Sequence, residues 1–121
     1  QYKLPIKIFI LNNEYMGMVR QWQELLHDKN YSESYTAALP DFVKLAEAYG
    51  CVGMRATTPE ELDDKIIEMV NTERPVIFDC RVDKVENCFP MIPSGKPHNQ
   101  MLLGPNDQKE KKITGKGKTL V

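Results

Sequence analysis

The chain has 121 residues, of which 41% are hydrophobic and 27% charged, a balance typical of a soluble globular domain with a modest core. Its formal net charge of −1 gives no electrostatic reason to expect binding to nucleic acid or to an anionic membrane. No apolar run is long enough to span a bilayer, and the first residues do not resemble a signal peptide. We therefore expect a cytoplasmic protein.

The cysteines give a second indication of the compartment. Cys51, Cys80 and Cys88 are an odd number of cysteines, and none of them lies in a C-x-x-C motif. This pattern predicts reduced thiols that serve as small buried core residues, and it does not favour a disulfide frame or a zinc site.

The first predicted element is a strand at 6–11, which is apolar except for Lys7. A nearly continuous apolar run of this kind is typical of a strand covered on both faces in a parallel sheet. Asn12 and Asn13 favour turns and end it. A helix is expected to follow at once, with an apolar face at spacings of three and four: Tyr15, Met18, Val19, Trp22, Leu25 and Leu26. Gly17 weakens this helix and indicates a close approach of the backbone to another group.

A polar loop at 30–39 precedes a second helix, for which Pro40 suits the first turn. Gly50 is expected to end this helix in a left-handed conformation. Its predicted apolar face consists of Phe42, Val43, Leu45, Ala46 and Tyr49.

A short strand is expected next, at 51–55, and a third helix follows it. Thr58, Pro59 and Glu61 predict the start of that helix, as N-cap, first helical residue and capping-box carboxylate. The inner face of the third helix is predicted to consist of Leu62, Ile66, Met69 and Val70. The last strand is expected at 76–82.

This alternation predicts an α/β fold with right-handed crossovers, a parallel sheet and helices on both of its faces, in three layers. The predicted domain covers residues 1–107 and includes an ordered arm at 83–107, and a flexible Lys- and Gly-rich tail covers 108–121. Three strands are few for such a sheet, and the chain enters its most apolar strand without an initial Met. We therefore expect the chain to be part of a larger enzyme. Because the missing parts would leave apolar surface uncovered, we also expect the chain to self-associate, mainly through the apolar residues of the arm at 89–92.

A ligand site is expected at Asn12 and Asn13, because open parallel sheets bind ligands at the carboxyl ends of their strands. The free N–H groups and the positive dipole end of the next helix would favour a phosphate group there. An Asn side-chain oxygen is a neutral hard ligand that suits Mg²⁺ or Ca²⁺. From these residues alone, a turn-forming pair without a ligand stays the alternative.

Residues 11–22 read LNNEYMGMVRQW and closely resemble the L-N-N-x-x-x-G-M-V-x-Q-W segment of acetohydroxyacid (acetolactate) synthase catalytic subunits, which are thiamine diphosphate enzymes. The resemblance continues at four further places, which are 40–50 (PDFVKLAEAYG), 74–76 (RPV), Asp79 and 86–95 (ENCFPMIPSG). It covers about 100 residues of the chain. The fold that it implies is part of a C-terminal thiamine diphosphate-binding domain.

The resemblance also implies roles for individual residues, none of them catalytic. Asn13 would bind Mg²⁺ through its side chain, and Tyr15 through its backbone carbonyl. Backbone groups of six consecutive residues would line the diphosphate: Asn13, Glu14, Tyr15, Met16, Gly17 and Met18. The substrate channel would be bordered by Met18, Val19 and Trp22, with Ser94 of the arm near it.

Other interpretations stay open at several of these positions. Trp22 could be a core residue, Met18 could fill space in the core, and Ser94 could belong to a turn. The side chain of Glu14, and both His27 and His98, are expected at the surface.

Two parts of the family's site have no counterpart in the sequence. The chain contains no G-D-G motif, which in this family supplies the carboxylate ligand of Mg²⁺. The Glu that activates the cofactor belongs to a different domain of a partner subunit. We therefore expect the chain alone to be inactive and to bind Mg²⁺ poorly.

The resemblance implies a transferase of branched-chain amino acid biosynthesis, which condenses pyruvate, after its decarboxylation, with a second 2-ketoacid. Its cofactors would be thiamine diphosphate and Mg²⁺, with FAD bound outside this segment. Its partners would be 2-ketoacids and further copies of the chain, with room for a regulatory subunit, but no nucleic acid or membrane. Two alternatives stay open: another thiamine diphosphate-dependent 2-ketoacid decarboxylase or oxidase, and a non-catalytic interaction module of the same fold.

Overall fold

A computed structural model describes residue 2 and residues 4–109. The elements follow the predicted order: β1 (Lys7–Asn12), α1 (Gly17–Leu26), α2 (Phe42–Ala48), β2 (Val52–Ala56), α3 (Leu62–Asn71) and β3 (Val76–Arg81). Short 3-10 turns lie at Pro59–Glu61, His98–Gln100 and Pro105–Lys109. The strands lie within one residue of the predicted bounds. From residue 110 onward, the predicted tail lies outside the described residues.

The three strands form one parallel sheet in the order β1-β3-β2, with β3 in the middle. Phe78 of β3 lies between Phe9 of β1 and Met54 of β2. The predicted parallel α/β sheet is thus confirmed. Because β1 and β3 are in register up to Asn12 and Arg81, their carboxyl ends meet at one edge of the sheet.

Helices lie on both faces of the sheet, as predicted. On one face, α3 packs on the strands through the buried core: Met54, Ala56, Met69, Val76, Phe78 and Cys80. The opposite face of β2 is covered by α2. There, a Cβ on Gly53 would lie 2.7 Å from the carbonyl oxygen of Val43, so this contact requires glycine.

The apolar run of β1 was expected to be covered on both faces, and this expectation is wrong for the described residues. Ile8 and Leu11 point to opposite faces of the sheet, yet Leu11 is 68% exposed and Ile8 44% exposed. The reason is that α2 and α3 pack on β2 and β3 and leave the edge strand β1 largely uncovered.

The predicted inner faces of the helices are only partly correct. In α1, Met18, Val19 and Trp22 are exposed, whereas Arg20 and Gln21 are buried. In α3, Met69 is buried as predicted, but Val70 is 62% exposed because it points away from the sheet. In α2, the buried residue is Ala46, while Leu45 and Tyr49 are exposed.

The starts of the helices also differ from the predictions. The N-cap of α2 is Asp41, whose carboxylate accepts hydrogen bonds from the N–H groups of Val43 and Lys44. Thr58 opens a 3-10 turn without a side-chain capping bond, and Glu61 accepts from the N–H of Thr57 at 3.1 Å. The third α-helix therefore starts after this turn.

Gly50 has a φ of 71° after α2, as predicted. All three cysteines are free thiols, but only Cys80 is buried, and burial raises its pKa. Cys51 is half-buried and Cys88 is exposed, so the expectation of buried core cysteines is wrong for these two. None of the helices in the described part of the chain has the length and apolar character needed to cross a bilayer.

Candidate functional site

The asparagine pair lies where the sequence placed it, at the carboxyl end of β1. Each side-chain oxygen accepts a hydrogen bond from the N–H two residues further on, Asn12 from Glu14 and Asn13 from Tyr15, both at 3.1 Å. The pair therefore forms a turn, as the simpler interpretation predicted. This does not exclude a ligand, because an amide oxygen has a second lone pair that is free to bind a cation.

The helix after the turn starts later than expected. It was predicted to begin directly after the pair, but α1 begins at Gly17 with Met16 as its N-cap. Met16 donates its N–H to the carbonyl of Ser34 at 2.8 Å and accepts from the N–H of Arg20 at 2.9 Å. The first N–H groups of α1 have no intrahelical acceptor, so they are available to an anion.

Gly17 approaches the side chain of Asn13, which explains the glycine at this position. A Cβ on Gly17 would lie 3.0 Å from Nδ2 of Asn13. The predicted close approach is thus confirmed, and its partner is the residue that the resemblance assigns to the metal.

The side chain of Glu14 was expected to face solvent, but it is half-buried and ion-paired. Its carboxylate accepts from Arg81 Nη1 at 3.1 Å, Lys84 Nζ at 2.6 Å and the hydroxyl of Tyr35 at 3.2 Å. The hydrogen bond from Lys84 lowers the pKa of Glu14 below its usual range, although burial raises it in part. Glu14 is therefore the centre of an ion-pair network, which we call the Glu14 network (Glu14, Tyr35, Arg81 and Lys84).

The backbone of the turn pairs with the loop before α2. The carbonyl of Glu14 accepts from Thr36, through its N–H at 2.9 Å and its hydroxyl at 2.6 Å. Tyr15 and Tyr35 form an antiparallel bridge, and their rings lie 5.0 Å apart. Within the described residues, no hydrogen bond reaches the carbonyl of Tyr15, so this oxygen is available to a metal ion.

A buried carboxylate on the neighbouring strand β3 binds the turn through Asn12. Asp79 is fully buried in β3. It accepts hydrogen bonds from Asn12 Nδ2 at 2.7 Å and Arg55 Nε at 2.8 Å, and it forms an ion pair with Arg81 Nε at 3.3 Å. Since Arg81 also binds Glu14, ion pairs and hydrogen bonds connect the turn to the centre of the sheet.

Two cavities lie next to the turn and to α1. A cavity of about 160 Å³ borders the turn and is lined by Asn13, Tyr15, Thr36, Leu39 and Phe42, among others. A groove of about 400 Å³ runs along α1 and is lined by Met18, Val19, Trp22, Gln23 and His27. The structure thus brings together three predicted channel residues. It does not bring Ser94 to them, since this residue is exposed in the arm and does not line the groove.

The arm after β3 is ordered and packs on α1. Gln21 is buried and forms two hydrogen bonds with the backbone of Cys88, donating to its carbonyl at 3.0 Å and accepting from its N–H at 2.7 Å. Arg20 donates to the carbonyl of Val85 at 3.2 Å and forms an ion pair with Glu24 at 2.8 Å. Gln21, which belongs to the segment 11–22 that resembles the synthase family, therefore attaches the arm to α1.

No supporting role was predicted from the sequence for four of these groups: the side chain of Glu14, and Tyr35, Asp79 and Arg81. For Asp79 a signal was present, because a carboxylate within the apolar strand Val76–Arg81 has to be paired if it is buried. For the others, the partners are distant in sequence and no local pattern connects them.

The oxygen atoms at the turn fit one half of a Mg²⁺ site. Asn13 and the carbonyl of Tyr15 offer neutral oxygen ligands, while the carboxylate of Glu14 already has three donors. Across the described residues, no group of three or more His, Cys, Asp and Glu side chains could hold a metal ion. A hard divalent cation would therefore need further ligands from carboxylate, phosphate or water.

Comparison with known families identifies the class of protein. Residues 1–80 match the family described as thiamine pyrophosphate enzyme, C-terminal TPP binding domain. The match covers about two thirds of the chain, and the chain belongs to this family of thiamine diphosphate-dependent enzymes.

Among curated proteins, the chain is similar to acetolactate synthase large subunits. It is 50% identical to that of Cyanidium caldarium over 103 residues, which are 84% of the chain and 18% of the relative. It is 43% identical to that of Haemophilus influenzae over 104 residues, or 85% of the chain and 18% of the relative. It is 42% identical to the isozyme 3 large subunit of Escherichia coli over 111 residues, which are 89% of the chain and 19% of the relative. The chain thus spans about a fifth of the length of these relatives.

Proposed function

We propose that the chain forms the diphosphate-side half of a Mg²⁺–thiamine diphosphate site in an acetolactate synthase, the enzyme that condenses pyruvate, after decarboxylation, with a second 2-ketoacid. Similarity to acetolactate synthase large subunits over more than four fifths of the chain supports this reaction. Thiamine diphosphate supplies carbanion stabilisation when it is bound, and the protein orients it.

The turn at the end of β1 is the observation on which this proposal depends. It presents the side-chain oxygen of Asn13 and the unpaired carbonyl of Tyr15 beside a small cavity. The first N–H groups of α1 follow directly and suit the charge of a diphosphate. In the proposed site, Asn13 and Tyr15 bind Mg²⁺, and the backbone from Asn13 to Met18 lines the diphosphate.

The groove on α1 is the proposed channel for 2-ketoacids. Met18, Val19 and Trp22 form its apolar wall and are exposed in this chain. In the proposed assembly, the bound cofactor and the partner subunit cover this wall.

The wider assembly belongs to the same proposal. Further copies of the large subunit, FAD bound outside this segment and a regulatory subunit would complete the enzyme. Three donors already occupy the Glu14 carboxylate, and Mg²⁺ needs an anionic ligand here, so we expect the chain alone to be inactive.

Activity of a chimaera tests the proposal. In the chimaera, this chain replaces the aligned 111-residue segment of the Escherichia coli isozyme 3 large subunit. We expect Mg²⁺- and thiamine diphosphate-dependent conversion of pyruvate to acetolactate. Release of acetaldehyde instead would favour a decarboxylase, and a folded chimaera without either product would favour a non-catalytic module.

A further inference from the structure

The conformation of Glu14 is unusual for its residue type. Its φ is 61°, in the left-handed region that glycine adopts freely and that other residues adopt at an energetic cost. Neither of its neighbours in the turn, Asn13 and Tyr15, has a positive φ. A left-handed residue that is not glycine persists only where its surroundings hold it.

The surroundings that hold Glu14 come from distant parts of the chain. Its carboxylate accepts from Arg81 at the end of β3, from Lys84 just after that strand, and from Tyr35 in the loop before α2. Its carbonyl accepts twice from Thr36. Glu14 is therefore attached at both its side chain and its backbone, and Arg81 connects it to the fully buried Asp79.

We infer that Glu14 is a positioning residue for the metal site: the Glu14 network holds its left-handed backbone and thereby orients the oxygens of Asn13 and Tyr15. A change of φ at Glu14 to a negative value would rotate the carbonyl of Tyr15 relative to the side chain of Asn13. This role rests on the proposed function, since it needs the metal site, and it differs from ligation because three donors already occupy the Glu14 carboxylate.

The backbone part of this inference is tested in the 121-residue chain by NMR. A strong intraresidue HN–Hα NOE reports the positive φ of Glu14, and amide exchange of Thr36 reports its hydrogen bond to the carbonyl of Glu14. We expect Glu14→Ala to weaken that NOE and to accelerate the exchange of Thr36. Glu14→Gly, which adopts a positive φ freely, is expected to accelerate that exchange less. The matched control is Glu68→Ala, which removes a surface ion pair with Lys65 on α3. Wild-type behaviour in Glu14→Ala would overturn the inference.

The metal part is tested in the chimaera by the Mg²⁺ concentration that half-saturates thiamine diphosphate binding, measured well below the melting temperature. Loss of a residue that orients ligands typically costs about 10–100-fold in metal affinity. We expect an increase of that size for Glu14→Ala, a smaller one for Glu14→Gly, and none for Glu68→Ala. Equal increases of the half-saturating Mg²⁺ concentration for Glu14→Ala and Glu14→Gly would show that only the loss of the Glu14 charge matters. That result would contradict a positioning role.

The two proposals fail in different ways. If the chimaera binds Mg²⁺–thiamine diphosphate and Glu14→Ala leaves the Mg²⁺ requirement unchanged, the positioning role is wrong and the proposed function stands. If the folded wild-type chimaera does not bind at all, the proposed function is wrong, and the role of Glu14 as an orienting residue for a metal falls with it.

Discussion

Asp79 is the residue whose removal we expect to affect stability most. Its carboxylate is fully buried and is paired with Asn12, Arg55 and Arg81. Its removal leaves the buried Nδ2 of Asn12 without an acceptor, while Arg55 and Arg81 stay partly exposed to solvent. We expect Asp79→Ala to lower the free energy of unfolding by about 1.5–3 kcal/mol, the value typical of hydrogen bonds to charged groups, in urea titrations.

The control for this change is Asp63→Ala, in the first turn of α3, where an exposed carboxylate contributes less than about 1 kcal/mol through the helix dipole. Similar losses for the two variants would show that the pairing of Asp79 contributes little.

For single residues, the sequence predicted the position of Asn13 at the end of a strand, but it did not predict the ion pairs of Glu14. The position of the asparagine pair follows from local chemistry, because a strand ends at two turn-forming residues. The role of the Glu14 side chain depends on Arg81 and Lys84, which lie more than 60 residues further along the chain, so that only the folded sheet brings them together.

Among the elements, α1 differs most from its amphipathic pattern. Its apolar face was predicted to be buried, but the structure buries Gln21 and Arg20 against the arm instead. An apolar stripe on a helix predicts contact with an apolar partner. It does not indicate whether that partner belongs to the same chain or to another one. In the proposed enzyme, the partner is the rest of the channel.

The attachment of the arm gives a prediction for Gln21. Gln21→Ala removes both hydrogen bonds to the backbone of Cys88, and each such hydrogen bond typically contributes about 0.5–1.5 kcal/mol. We expect amide exchange of Cys88 to accelerate by about tenfold or more, which corresponds to roughly 1.4 kcal/mol. Gln21→Glu is the control, because it keeps the acceptor for that N–H. Unchanged exchange in Gln21→Ala would show that other contacts hold the arm.

The N-terminus of α2 gives a prediction about pH. Burial raises the pKa of Asp41, but hydrogen bonds from Arg55 and from the N–H groups of Val43 and Lys44 outweigh this and leave the pKa below its usual range. A depressed pKa in the folded state means that the ionised carboxylate stabilises the fold at neutral pH. This stabilisation is lost as the pH falls through the folded-state pKa.

Comparison of the wild type with Asp41→Asn isolates this effect, because Asn keeps the cap but not the charge. We expect the wild type to be more stable at neutral pH, and the difference in the free energy of unfolding to disappear at acidic pH. A difference that is independent of pH would show that the ion pair with Arg55 contributes nothing.

For the molecule as a whole, the exposed apolar surface predicts association. We expected the arm at 89–92 to be its centre, but Phe89 and Met91 are half-buried against the rest of the chain. Large apolar side chains are exposed outside the arm, such as Leu11 on β1, which is 68% exposed, and Trp22 on α1, which is 43% exposed. Such surface in a single chain marks an interface or a liability to aggregate.

We therefore expect sedimentation equilibrium to show concentration-dependent association of the 121-residue chain. Leu11→Lys and Trp22→Lys should each weaken it, and Ile92→Lys should have a smaller effect, because a charge disrupts an apolar contact only where that contact is made. A monomer at high concentration would contradict this prediction.

The sequence predicted the parallel sheet, its helices and the turn at its edge, because strand periodicity and turn residues are local signals. It did not predict the order β1-β3-β2, or that β1 would be an exposed edge. These properties depend on which neighbours the strands have, and the chain spans about a fifth of the length of its relatives.

The metal requirement of the proposed site tests the assignment of the turn most directly. Calorimetry should detect Mg²⁺-dependent thiamine diphosphate binding in the chimaera, and little or none in the 121-residue chain alone. Asn13→Ala in the chimaera should raise the half-saturating Mg²⁺ concentration by about 10–100-fold, as for other groups that hold a metal site. The exposed Asn30, changed to Ala, should leave it unaltered. An Asn13→Ala chimaera with the wild-type Mg²⁺ requirement would contradict the assignment of the turn as half of the cofactor site.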